Sequence, residues 1–183
     1  MIFRETALHG AFQIDIEKHA DERGFNARAW CARELGELGL ADTFVQANIA
    51  ASARRGTMRG LHYQEAPFAE AKLLRCLRGA IFDVIADVRE GSPTYGQWLG
   101  THLDASDHRM IYVPEGCAHG TLSLEDDTEV LYQVSQFYTP SAERGVRYDD
   151  PAFGIDWPIP VEVVSAKDKA WPDLARVPAR PPR

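Results

Sequence analysis

Arg59-Gly60-Leu61-His62-Tyr63-Gln64 sets a cation, a glycine and a histidine side by side in a stretch that otherwise reads as strand. An imidazole exchanges a proton near neutral pH, and a guanidinium holds an anion such as phosphate. The combination points to an enzyme that grips an anionic substrate and moves a proton on it. The alternative is a structural strand end with a surface arginine. On an ideal strand His62 and Gln64 share a face and Arg59 points the other way. Both serve one site only if the chain bends or bulges between them, and Gly60 is where that costs least.

Pro114-Glu115-Gly116-Cys117-Ala118-His119 is a second cluster, a proline–glycine turn followed by a histidine. Pro-x-Gly-x-x-His resembles the second half of the metal motif of cupins, small double-sheet barrels. The first half of that motif needs His-x-His and a later acid, where this chain has His62-Tyr63-Gln64. Stable transition-metal sites take three or more protein ligands, so no metal is expected. His119 otherwise reads as a turn histidine bonded to backbone. Lys72 opens a strand beside apolar residues, the setting of a snorkelling lysine. Tyr132 and Tyr138 fall on and just past a late strand, where tyrosines usually pack. Asp168 reads as a loop or helix-capping acid.

These residues must be positioned by strands. After Gly79, Ile81, Asp83, Ile85 and Asp87 alternate with Phe82, Val84, Ala86 and Val88. Both faces are partly apolar, which predicts a central strand. A run from Lys72 to Arg78 precedes it, and Gly91-Ser92-Pro93 turns the chain after it. Further runs at Trp98–Leu103, Met110–Val113, Gly120–Leu124 and Glu129–Gln136 imply a sandwich or barrel. The one good helix signal is Ala32 to Leu38, with Gly39 as its stop. The segment from Pro172 to Arg183 carries four prolines and reads as an extended or mobile tail.

At 183 residues the chain is most simply one domain with a substantial core. Its 45% hydrophobic and 26% charged content is that of a globular protein. A formal net charge of −7 argues against nonspecific nucleic-acid binding. Arg54, Arg55, Arg59, Lys72, Arg75 and Arg78 nevertheless make a basic central window. Cys31, Cys76 and Cys117 are odd in number and form no Cys-x-x-Cys, which indicates neither a disulfide framework nor a cysteine-rich zinc site and suits the cytoplasm. There is no apolar run of signal-peptide or membrane-spanning length.

Taken together the pieces resemble the dTDP-4-dehydrorhamnose 3,5-epimerase family, sugar-nucleotide epimerases with a metal-independent cupin fold. The resemblance runs from Asp21-Glu22-Arg23-Gly24-Phe25 to Ser165-Ala166-Lys167-Asp168. Between them it takes in the hexapeptide, Lys72, Asp83, Ile111 to Gly120, Leu131-Tyr132, Asp149-Asp150-Pro151 and Gly154-Ile155-Asp156-Trp157-Pro158. It implies an all-β cupin, a double-stranded β-helix or jelly-roll barrel with a few short helices, as a single domain over residues 1–183. It implies a homodimer that exchanges amino-terminal strands, and no cofactor. The implied reaction is 3- and/or 5-epimerisation of a nucleotide-linked 4-keto-6-deoxyhexose, in deoxysugar biosynthesis, by removing a proton alpha to the ketone.

The resemblance also implies roles. His62 matches the base and Asp168 the acid that orients it. Tyr132 matches the residue that returns a proton from the other face, and Lys72 the cation beside the C4 oxyanion. Arg59 and His119 match positions lining the diphosphate and sugar, Gln46 and Asn48 polar contacts near the nucleoside, and Tyr138 an aromatic that stacks on the base. Arg23 matches a phosphate contact from the neighbouring subunit. The chain departs from the family pattern at Asn26 and Arg28, where a second Phe and an acid are usual, and Arg28 reverses a charge at the nucleoside. Competing readings are a 3,4-ketoisomerase of the same family, a metal-binding cupin oxygenase and a catalytically silent sugar-binding cupin.

Overall fold

The computed structural model describes residues 1–174. In chain order its elements are β1 (Ile2–Glu5), β2 (Phe12–Asp15), β3 (His19–Asp21), β4 (Gly24–Asn26), α1 (Ala32–Gly36), β5 (Gln46–Ser52), β6 (Thr57–Gln64) and β7 (Lys72–Arg78). They continue with β8 (Ala80–Asp87), β9 (Trp98–Asp104), β10 (Met110–Val113), β11 (Cys117–Ser123), β12 (Thr128–Val134), β13 (Glu143–Gly145), β14 (Val163–Val164) and α2 (Ala166–Lys169). One sheet has the order β1-β2-β10-β7-β12-β5 and the other β13-β6-β11-β8-β9, with β14 beside β6. Every pairing is antiparallel except that of β14.

Alternation along the strands explains how the layers stack. Leu74, Ile111 and Val130 of the first sheet meet Ile81, Ile85 and Leu103 of the second in one cluster. The intervening residues of β6 and β8, among them Met58, Phe82, Val84 and Ala86, pack beneath Phe153, Trp157 and Val161. Leu73, Met110 and Tyr112 are covered from outside by Leu35 of α1 and by Phe44. Both sheets are therefore covered on two faces over their central strands, and β8, apolar on both, is central as its pattern predicts.

The predicted strands are present with small shifts. β11 begins at Cys117 rather than Gly120, because the turn closes early, with the Cys117 amide donating to the Pro114 carbonyl at 3.3 Å. The helix ends at Gly36, and Gly39 takes the left-handed conformation at φ +69° that its stopping role requires. The tail differs more. Its first residues are tied down: Leu174 packs on the outer core and its amide donates to Asp150 Oδ2 at 2.5 Å. The rest of the predicted tail, from 175, lies outside the described residues.

Candidate active site

The bend required between Arg59 and His62 is present. His119 pairs with His62 and Thr121 with Arg59, so β6 takes three steps where β11 takes two. This bulge brings Arg59 and His62 to the same cavity. Gly60 sits inside it at φ +118°, and a Cβ there would lie 2.5 Å from the Gly120 Cα. The Gly60–Leu61 peptide is cis.

The cavity has a volume of about 460 Å³ and lies between the sheets, with Leu74 and Val130 of the core as part of its lining. β5 supplies Gln46 and Asn48, β7 Lys72, β11 His119 and β12 Tyr132. Tyr138, from the loop after β12, joins them. The basic window divides: Arg59 and Lys72 reach the cavity, Arg75, of opposite parity to Lys72 on β7, donates to the Ala29 carbonyl, and Arg78, past the register shift between β7 and β12, pairs with Glu129.

Asp168 stands behind His62. Its Oδ1 accepts from His62 Nε2 at 2.6 Å. Ser165 caps α2 by accepting from the Asp168 amide at 3.0 Å, which fixes the start of that turn. Burial alone would raise the Asp168 carboxyl, but the hydrogen bond and charge of His62 outweigh it and hold the group below the usual range. An ionised Asp168 keeps one imidazole nitrogen as donor and leaves the other as the basic one.

His119 is not the backbone-bonded turn histidine of the alternative reading. Its Nε2 lies 2.7 Å from Oδ2 of Asp83, which β8 presents at 1% exposure. Lys72 is almost buried, 3.1 Å from the carbonyl of His62, to which it donates, and 3.2 Å from Glu70 Oε1. Tyr132 is half-buried, and that burial, with the charge of Glu70, raises its phenol, so it is a neutral donor near pH 7. Arg59 is aimed by Ser52 Oγ at 3.1 Å and the Ala51 carbonyl at 2.7 Å.

Besides Asp168, which lies behind His62, two predicted residues do not line this cavity. Arg23 lies on the exposed β3–β4 hairpin with its side chain 84% exposed and paired to Asp21. Arg28 pairs with Glu34 at 2.7 Å and lines a separate depression with Met1, His19 and Trp30. Conversely, Glu70 and Glu143 line the cavity without having been singled out. Glu143 accepts from the Tyr138 hydroxyl at 2.7 Å and from Lys167 Nζ at 2.6 Å. Glu70 lies two residues from Lys72, a strand position already assigned to the site, whereas Glu143 is brought in only by the pairing of β13 with β6. Among the described residues, no three His, Cys, Asp or Glu side chains group as metal ligands do.

A two-sheet barrel with an oriented histidine, a neutral tyrosine and two cations around one cavity defines a cupin-type enzyme of the acid–base kind. Comparison with known proteins is specific. The family model described as dTDP-4-dehydrorhamnose 3,5-epimerase matches residues 5–176. The chain is 41% identical to the dTDP-4-dehydrorhamnose 3,5-epimerase of Sinorhizobium fredii, covering 97% of this chain and 92% of that one. It is 38% identical to the dTDP-4-dehydrorhamnose 3-epimerase of Streptomyces niveus, covering 92% and 82%. A crystal structure of the Bacillus anthracis dTDP-4-dehydrorhamnose 3,5-epimerase with TDP and PPi bound superposes with a TM-score of 0.90 at 39% identity, covering 94% of this chain and 99% of that one. The chain belongs to the dTDP-4-dehydrorhamnose 3,5-epimerase family and is a sugar-nucleotide epimerase.

Proposed function

We propose that the protein inverts C3, C5 or both of a dTDP-linked 4-keto-6-deoxyhexose without a cofactor, with His62 as base, Tyr132 as acid, Lys72 at the oxyanion and Asp168 orienting the base. The observation that carries this reading is the His62–Asp168 contact of 2.6 Å at a cavity that Tyr132 and Lys72 also line. The free imidazole nitrogen takes the proton on a carbon beside the ketone. The electron pair moves into the C4 carbonyl as an enolate, which the Lys72 ammonium stabilises as charge develops. Tyr132 donates a proton to the other face of the same carbon and inverts it.

Arg59 and His119 bind the diphosphate and sugar, Gln46 and Asn48 contact the nucleoside, and Tyr138 stacks on the base. Arg23 and Arg28, which stand clear of this chain's own cavity, reach a partner's cavity in a homodimer with exchanged amino-terminal strands. The whole chain forms one domain. No described helix is long and apolar enough to cross a membrane, and Cys31, Cys76 and Cys117 are unpaired, which supports a cytoplasmic setting.

The test is incubation with dTDP-4-keto-6-deoxyglucose in deuterated water. Deuterium at C3, C5 or both is expected; its absence with every nucleotide 4-keto sugar tried overturns the reading. A thermal-shift comparison of thymidine, uridine, guanosine and cytidine diphosphates tests the base, and equal shifts from all four remove the thymidine assignment.

A further inference from the structure

Trp171 stands outside the cavity, three residues beyond Asp168, yet its ring meets that of His62 edge-on, with centroids 6.1 Å apart and planes at 65°. We propose that Trp171 is a positioning residue for the His62–Asp168 pair: its indole sets the plane of the imidazole and shuts water out from the side away from the cavity. This rests on His62 being the base.

The packing around the indole supports it. Gly145 pairs with His62 across β13 and β6, and a Cβ at Gly145 would lie 2.6 Å from Trp171 Cε2 and Nε1. The indole thus lies directly on the backbone opposite His62, in space that a side chain would otherwise fill. Its N–H is buried and has no hydrogen-bond partner among the described residues. A polar group left unpaired is unfavourable, so packing rather than hydrogen bonding holds the ring there. Lys167 Nζ lies 5.9 Å from the indole centroid and also binds Glu143. One short stretch therefore supplies the carboxylate on His62, the ring against it and the cation over that ring.

The other groups around His62 come from every neighbouring strand. They are Glu143 on β13, His119 on β11, the Lys72 ammonium at its carbonyl from β7, and Tyr132 on β12. None of them replaces the edge contact of the indole, because each is polar and aligned with the cavity or with the backbone.

The experiment combines kinetics with fluorescence. Trp171→Ala should lower kcat about tenfold or more while changing KM less than about twofold, since a small misplacement of a base is costly to the chemical step. The acid limb of its kcat–pH profile should also move, and Trp171→Phe should restore most of both. An imidazolium quenches an indole in contact with it. Wild-type emission should therefore fall as His62 protonates, and this component should vanish in Trp171→Phe and in His62→Asn. Unaltered kcat and pH profile in Trp171→Ala overturn the proposal. So does a loss of rate that follows the loss of folded protein with the pH profile unmoved. If Trp171→Ala does not fold, the emission titration decides, and no His62-dependent component overturns the proposal. Full activity in His62→Asn instead removes the base assignment, a separate result.

Discussion

His62 and His119 face each other on neighbouring strands, and each bonds an aspartate, at 2.6 Å to Asp168 and 2.7 Å to Asp83. The two pairs differ in what holds them. His119 and Asp83 both belong to central strands, β11 and β8, and their side chains are 7% and 1% exposed. His62 is 30% exposed, and its acid comes from a four-residue helix late in the chain. The buried pair is part of the barrel wall. The open pair is assembled from a wall and a separately fastened segment, so its imidazole can meet a substrate while its carboxylate stays covered. The same geometry is thus closed into the wall in one place, where His119 only borders the cavity, and open in the other, where under the proposed function the aspartate orients the base, and burial separates the two.

Removing the imidazole should have the largest effect. His62→Asn is expected to reduce wash-in of solvent deuterium about a thousandfold, with a melting temperature close to that of the unaltered protein. A large loss of stability instead would make His62 a wall residue like His119. Asp83→Ala should reverse the pattern. It strips the partner from a buried histidine and should cost about 3 kcal/mol in denaturant unfolding, with a smaller fall in deuterium exchange.

Asp87 extends the comparison to a fully buried carboxylate whose partners are all close by. Burial would raise it, but hydrogen bonds from Arg89, Ser92 and Thr94 bring it down to about 2. A folded value below the unfolded 3.8 contributes stability that is complete above about pH 4 and lost as pH falls toward 2. The contribution is about 2 kcal/mol, and Asp87→Asn should remove that acid slope from unfolding curves measured between these pH values. The smallest effect is expected from Tyr138→Phe. Loss of the hydrogen bond to Glu143 is worth about 1 kcal/mol, seen as a modest rise in KM with kcat preserved.

The bulge at Gly60 was legible because Arg59 and His62 have opposite parity on one strand and a glycine lies between them. The central position of β8 was legible because both of its faces are apolar. Gly39 was legible as a helix stop because it follows the last helical residues of a short run. The partner of His119 was not. Asp83 lies 36 residues away, and only the pairing of β11 with β8 brings the two together. A carboxylate on a strand with two apolar faces does, however, need a partner, and that was the available hint.

Residue types and local periodicity by themselves determined an all-β chain with an imidazole, a phenol and cations at strand positions, and the ordered motifs tied that set to one family. Only the tertiary structure decided which of them meet. His62 and Asp168 are separated by 106 residues, and Trp171 joins them from the position just before the predicted tail. Alternation states which face a side chain takes on its own strand. Which strand lies beside it, and which late segment folds back over it, depends on packing across the whole barrel.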